Sequence, residues 1–312
     1  MYMLVLYGTH NQSIDVTHVC FSTLLKNKVI TIPSLDGQRA KLFTDPLPNV
    51  LKSIFIQLEP SSDRVEYDHS KRIKINTESN TVETQSDAEV DAALAQIHAK
   101  LQIRHGYLHD ELPEQKMVVR SFTGKEKVLE IGANIGRNSL VIASMLDDPA
   151  NLVSLECVPE TVVQLKENRT LNSFNFHVEC GALSKRKLIQ RHQCWTTVPS
   201  DVLLPNHNWV NTFTWPEFKA KYDIEFDTLV LDCEGAFYYI LMDMPEILDT
   251  ITFIVMENDY TEIGPKEYID DVLTKKGFYK DYVEAGGWGP CYSNFYEIWK
   301  RDSEIRMLQP AS

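Results

Sequence analysis

The sequence predicts an α/β fold, a doubly wound and mostly parallel sheet, preceded by a small β-rich N-terminal domain. Three observations predict it. A strand, a glycine turn and a helical pattern follow one another between Val128 and Met145. Apolar strands then recur at 151–157, 174–179, 226–232 and 251–257, and each ends in polar residues, so the functional groups collect on one edge of the sheet. Ahead of them, residues 1–58 read as short strands between turns.

In that first domain the strands are Met3 to Tyr7, Val29 to Pro33 and Leu51 to Leu58, separated by Asp36-Gly37 and Asp45-Pro46. It serves either as an accessory or oligomerisation module or as a glycan- or partner-binding unit. Residues 59–87 are rich in Ser, Asp, Glu, Asn and Thr, which predicts a linker or a long hairpin. The main domain then runs from 88 to 312. It opens with a helix over Ala88 to Arg104, where Val90, Ala93, Leu94, Ile97 and Leu101 recur at helical spacing. His105 and His109 follow four apart, either as a base or ligand or as a solvated helix end.

The glycine turn reads VLEIGANIGRNS from Val128 to Ser139. A dinucleotide fingerprint needs a second glycine where Asn134 stands, so a pyrophosphate would meet a side chain. Glu130, Gly132 and Gly136 instead spell E-x-G-x-x-x-G, the pattern of S-adenosylmethionine (SAM) binding, in which a carboxylate suits the ammonium and sulfonium. Asn134 and Asn138 complete the turn and the helix start. About twenty residues on, Glu156 ends the second strand, placed to accept from both ribose hydroxyls, with Cys157 beside it. Ala182, in the small-residue run CGALS, leaves room for an adenine ring.

The fourth strand runs into Asp232, Cys233, Glu234 and Gly235, and the fifth into Asn258, Asp259 and Tyr260. Residues 185–222 between the third and fourth strands carry Trp195, Trp209, Phe213 and Trp215 among loops and one short helix. They form either a sugar-stacking wall or core. A helix over Lys266 to Lys275 and closing strands over Phe278 to Glu284 and Tyr292 to Arg301 complete a seven-stranded sheet of the class I methyltransferase (Rossmann-like) kind, its last strand antiparallel. The loop Gly286 to Pro290 between them is a turn on the acceptor side.

For chemistry, no D/N-P-P-Y/F run follows the fourth strand, which speaks against methylation of a nucleobase amine. A hydroxyl acceptor needs a base, and Asp232 with Glu234 in support are the catalytic candidates. The alternative is Mg²⁺ on Asp232, Glu257 and Asn258, oxygen ligands of the kind that ion takes. Glu234 as a plain helix cap is the third reading.

EIGANIG at 130–136, LEC-x-PE at 155–160 with LKENRTLN behind it, ALS at 182–184 and LDCEG at 231–235 together resemble the FkbM-type SAM-dependent methyltransferases, over roughly 101–301. GRNSLVIASML, LVLDCEGAFYYIL and MENDY look most like the branch found in large DNA viruses. Glu-Gly-Ala-Phe stands where many members have Glu-Gly-Tyr-Glu, beside the acceptor pocket. The resemblance implies O-methylation of a sugar or glycan hydroxyl. Methylation of another small metabolite, and an inactive SAM-binding scaffold with a glycan- or protein-binding N-terminal domain, stay open.

The net charge of −13 argues against wrapping nucleic acid, whose phosphates need clustered Lys and Arg. Cysteines at 20, 157, 180, 194, 233 and 291 show no C-x-x-C spacing, so a reduced compartment without disulfides or zinc is expected. No apolar run reaches the length of a membrane span and the opening MYMLVLYG lacks the features of a signal peptide, which predicts a cytoplasmic protein, in a host cell if the viral likeness holds. The sequons at Asn11 and Asn168 are then read as chance, and a homo-oligomer through the N-terminal domain stays open.

Overall fold

The computed structural model describes residues 2–191, 194 and 196–301. The chain divides into two compact units between Ala92 and Ala93.

The N-terminal unit holds two four-stranded antiparallel sheets. One orders Ser13–Asp15, Leu4–Gly8, Ser53–Gln57 and Val65–Tyr67; the other orders Leu25–Lys26, Val29–Ile32, Lys71–Asn76 and Thr81–Ser86. Period-two alternation turns Val5, Tyr7, Ile30, Ile32, Ile54, Ile56, Ile73 and Ile75 into one core. Residues 59–87 are therefore no linker, because Val65–Tyr67, Lys71–Asn76 and Thr81–Ser86 are paired strands of this unit. Their composition is polar since few of their side chains, Ile73 and Ile75 chief among them, are buried. The helix Asp36–Phe43, unexpected from its weak apolar pattern, buries Arg39, which donates to the carbonyls of Pro33, Asp68 and Lys71 at 2.9, 3.1 and 2.6 Å.

The second unit is built on seven strands: β1 Val128–Ile131, β2 Leu152–Glu156, β3 His177–Cys180, β4 Thr228–Leu231, β5 Phe253–Glu257, β6 Tyr279–Glu284 and β7 Tyr296–Lys300. They lie in the order β3-β2-β1-β4-β5-β7-β6. The first five are parallel, and β7 is antiparallel to both neighbours. This is the predicted class I methyltransferase (Rossmann-like) sheet. Both faces are covered, as a parallel sheet requires. Val128, Val230 and Val255 pack on one side with α1 (Leu112–Ser121), α2 (Arg137–Met145) and α3 (Pro159–Leu171). Leu129, Leu231 and Met256 pack on the other with α4 (Ala236–Asp243) and α5 (Ile263–Lys275).

The largest boundary differences from the sequence reading are two. The helix over 88–104 ends at His98, and a separate helix, α1, follows the 3₁₀ turn Leu108–Glu111. The expected strand start at 292 is a 3₁₀ turn, Gly289–Asn294, so β7 begins at Tyr296. The insertion after β3 is also more than loops. Ala182–Leu183 pairs in parallel with Thr212–Phe213, and Leu188–Arg191 forms antiparallel pairs with Thr197–Pro199 and His207–Val210. Its short helix Trp215–Lys221 opens with a capping box from Thr214 and Glu217 and buries Trp215 in the core, whereas Trp209 is 47% exposed. Trp195 lies outside the described residues. Among the described residues no helix is long and apolar enough to cross a membrane.

Candidate active site

The strand order reverses between β1 and β4, the place where a doubly wound sheet opens a crevice at the carboxyl ends of its strands. A cavity lies there. Its lining includes Gly132, Asn134, Glu156, Cys157, Gly181, Ala182, Asp232, Cys233 and Glu234. Seven of the sequence-predicted residues thus share one space: Gly132, Asn134, Glu156, Cys157, Ala182, Asp232 and Glu234.

The turn owes its shape to residues at positive φ. Gly132 has φ +90°, and a Cβ on it would stand 1.6 Å from the Asp232 carbonyl oxygen. Asn134, at φ +48°, donates its backbone N–H to Glu156 Oε2 at 2.9 Å and accepts the Ile135 N–H on its own Oδ1. Glu156 Oε1 takes the Val158 N–H at 2.8 Å, so the carboxylate is fixed at the cavity wall by backbone from both sides. Burial raises its pKa, and these hydrogen bonds offset part of that rise. Burial also pushes the Cys157 thiol up to about 12, leaving it a neutral filler.

Three cofactor candidates do not line this cavity. Glu130 faces the same side of the sheet as Val128, toward α2, where its Oε2 accepts from Ser139 Oγ at 2.5 Å and Ser154 Oγ at 2.6 Å. Burial pushes its pKa up to about 7. It braces the turn from beneath and is not the expected partner of a ligand cation. Gly136 lies behind the turn, where a Cβ would meet Leu165 Cδ1 at 2.2 Å. Asn138 is buried in the first turn of α2, and its Oδ1 has no hydrogen-bond partner among the described residues.

The catalytic candidates sit among other acids. Asp232 is held well above the usual carboxylate range by burial and by the charges of Glu111, Glu114, Glu234 and Asp259. Glu234 has φ +52°, a strained position for a residue with a Cβ, and burial with a hydrogen bond to Asp259 pushes it up to about 8. Glu257 is pushed up to about 10 by burial, by the charge of Asp232 and by a hydrogen bond with Glu114. Burial raises Glu114 too, so these two carboxyls share a proton. In the sequence Glu114 is one of several polar residues behind His105 and His109, and only α1 shows that it is the one brought to Glu257.

The proposed magnesium trio is not assembled. Glu257 is engaged with Glu114, while Asn258 is wholly buried and donates Nδ2 to the Asn294 carbonyl at 2.7 Å. Among the described residues no group of three His, Cys, Asp or Glu side chains is placed to hold a metal ion. The histidines are also elsewhere: His105 Nε2 lies 2.7 Å from Glu167 Oε2, and His109 packs its ring edge-on to His98.

A carboxyl whose pKa is higher in the folded than in the unfolded chain keeps a proton that unfolding releases, so stability falls as pH rises between the two values. For Glu257 that window runs from 4.5 to about 10, and for Glu234 from 4.5 to about 8. The ligand-free protein should therefore melt at a lower temperature near pH 9 than near pH 6. Glu257→Gln, which cannot ionise, should flatten that fall; equal slopes in scanning calorimetry would place the proton elsewhere.

No protein-family model matches the chain, and no curated protein matches it. Among solved structures it is similar to the O-methyltransferase from Bacillus cereus in complex with S-adenosylhomocysteine (SAH), at 13% identity over 69% of this chain and 90% of that one, with a TM-score of 0.37. It is also similar to Aeropyrum pernix fibrillarin with natively bound S-adenosyl-L-methionine, at 8% identity, 74% and 93% coverage and a TM-score of 0.40. A protein of the NADB-Rossmann superfamily from Streptococcus agalactiae is similar at 11% identity, 64% and 69% coverage and a TM-score of 0.39.

Proposed function

We propose that the chain is a SAM-dependent O-methyltransferase acting on a hydroxyl of a sugar or glycan. The observation that carries this reading is a cavity whose wall joins the side-chain-free backbone at Gly132 to the carboxyl groups of Glu156, Asp232 and Glu234. The cavity wall would hold a cofactor with an amino acid end, a ribose and an adenine: backbone at Gly132 to Asn134 would meet the tail, Glu156 would accept the ribose hydroxyls, and the small residues Gly181 and Ala182 leave space for a ring.

Bound SAM would supply an electrophilic methyl group on a positive sulfur. What the chain adds is position and a place for the acceptor's proton. Glu234, at the cavity edge with a carboxyl that ionises near neutrality, is the base. Asp232, deeper and itself held well above the usual carboxylate range by burial, orients the acceptor by hydrogen bonding. The sugar is what the FkbM resemblance implies, and the half-exposed Trp209 on the insertion offers a ring for a sugar's C–H face.

Calorimetry with SAH and with NAD tests the cofactor, and transfer of labelled methyl from SAM to an oligosaccharide panel tests the acceptor. SAH binding and a new methyl ether are the expected results. Binding of NAD without SAH overturns the cofactor, and label found only on nitrogen overturns the hydroxyl.

A further inference from the structure

The glycine turn is held from outside the cavity as well as from beneath. Asn168 and Asn172 lie four apart on one face of α3, in or just past its last turn. Asn168 is fully buried, and its side chain uses its whole hydrogen-bonding capacity on backbone. Oδ1 accepts from the N–H groups of Arg104 and His105 at 2.9 and 3.1 Å. Nδ2 donates to the carbonyls of His105 and Ile135 at 3.1 and 2.9 Å. Asn172 repeats the grip one turn on: Oδ1 accepts the Gln102 N–H at 2.8 Å and Nδ2 donates to the Gln102 carbonyl at 2.7 Å. Asn168, the sequon asparagine of the helix, is thus spent inside the protein.

These bonds join two segments far apart in sequence. Gly106, at φ +76°, rests so close to Ile135 that a Cβ would lie 2.3 Å from its Cδ1. Ile135 belongs to the glycine turn, and its carbonyl is the one that Asn168 holds. Farther along the same segment, Glu111 reaches Arg137 at the start of α2 with a 2.7 Å ion pair. Hydrophobic packing of α3 is supplied by Val162 and Leu165, so the asparagines are not needed to dock the helix.

We propose that Asn168, seconded by Asn172, is a positioning residue that clamps segment 102–106 against the glycine turn and thereby sets the pocket for the cofactor's amino acid end. The inference rests on the SAM reading above. Neither asparagine lines the cavity, so both act through Ile135 and the turn. Only an amide of this length serves, because aspartate lacks the donors that hold His105 O and Ile135 O.

The test compares SAH with 5′-methylthioadenosine, which keeps adenine and ribose but lacks the amino acid tail. In Asn168→Asp and Asn168→Ala, the Kd for SAH should rise by about tenfold or more, the equivalent of one lost buried hydrogen bond. The Kd for methylthioadenosine should stay within about twofold. Equal weakening of both ligands, or unchanged SAH binding in a folded variant, overturns the clamp. Asn172→Ala, one turn farther from the glycine turn, provides a second variant if the Asn168 variants do not fold, with the same selectivity expected at smaller size. Wild-type protein that binds methylthioadenosine and not SAH would instead show that the cofactor reading has failed, and the clamp's role with it.

Discussion

Gly132→Ala is expected to abolish SAH binding and to destabilise the second unit by more than about 4 kcal/mol. The added Cβ would stand 1.6 Å from the Asp232 carbonyl oxygen, on a residue whose φ of +90° already excludes ordinary side chains. Neither backbone can retreat, since β1 and β4 are paired directly from Val128 opposite Thr228 to Ile131 opposite Leu231. A hydrogen-bonded register fixes the distance, so the clash has to be relieved by breaking the ladder. Gly264→Ala is the control, as nothing lies within 4 Å of the Cβ it would gain. Thermal melting and calorimetry read both variants. An alanine variant at 132 that melts like wild type and binds SAH within about tenfold would sink the idea that this close approach forms the cradle.

Glu234→Gln is expected to lower the rate of methyl transfer by roughly 10²- to 10⁴-fold, the range that loss of a general base produces. SAH affinity should not change, because glutamine keeps the shape and a hydrogen bond to Asp259. The pH profile gives an independent check with a definite sign. A base works only after losing its proton, so kcat/KM of the wild type should rise with pH until about 8, where Glu234 ionises. The variant should lack that limb. Wild-type turnover in Glu234→Gln would remove the residue from the chemistry and leave Asp232 as the group to test.

The parts of the site that were legible from sequence are the ones written as contiguous motifs. Gly132, Asn134, Glu156, Ala182 and Asp232 lie within a strand and the turn after it, and a parallel sheet sends every such turn to one edge. Glu130 shows where that logic stops. Its place two residues before Gly132 suggested a ligand contact, but alternation along β1 points it toward α2, where Ser139 and Ser154 take it up. Asn258 is misread for a similar reason, since a polar residue at a strand end can turn inward to hold a neighbouring loop, here at Asn294.

Of the two readings of segment 59–87, the hairpin is the one the structure holds, and the linker reading fails because polar composition does not by itself mean solvation. A strand that buries one face needs only every second residue to be apolar, and the hairpin of Lys71–Asn76 and Thr81–Ser86 manages with a few.

Local order along the chain, by itself, determined the seven-stranded arrangement and the glycine turn, because backbone geometry and apolar periodicity are properties of neighbouring residues. Tertiary structure alone decided which acids share protons, that Glu114 joins Glu257, and that Asn168 ties Arg104 to Ile135. Such pairings depend on distances between side chains tens of residues apart, and burial sets their charge states only after the sheet and its helices have closed around them.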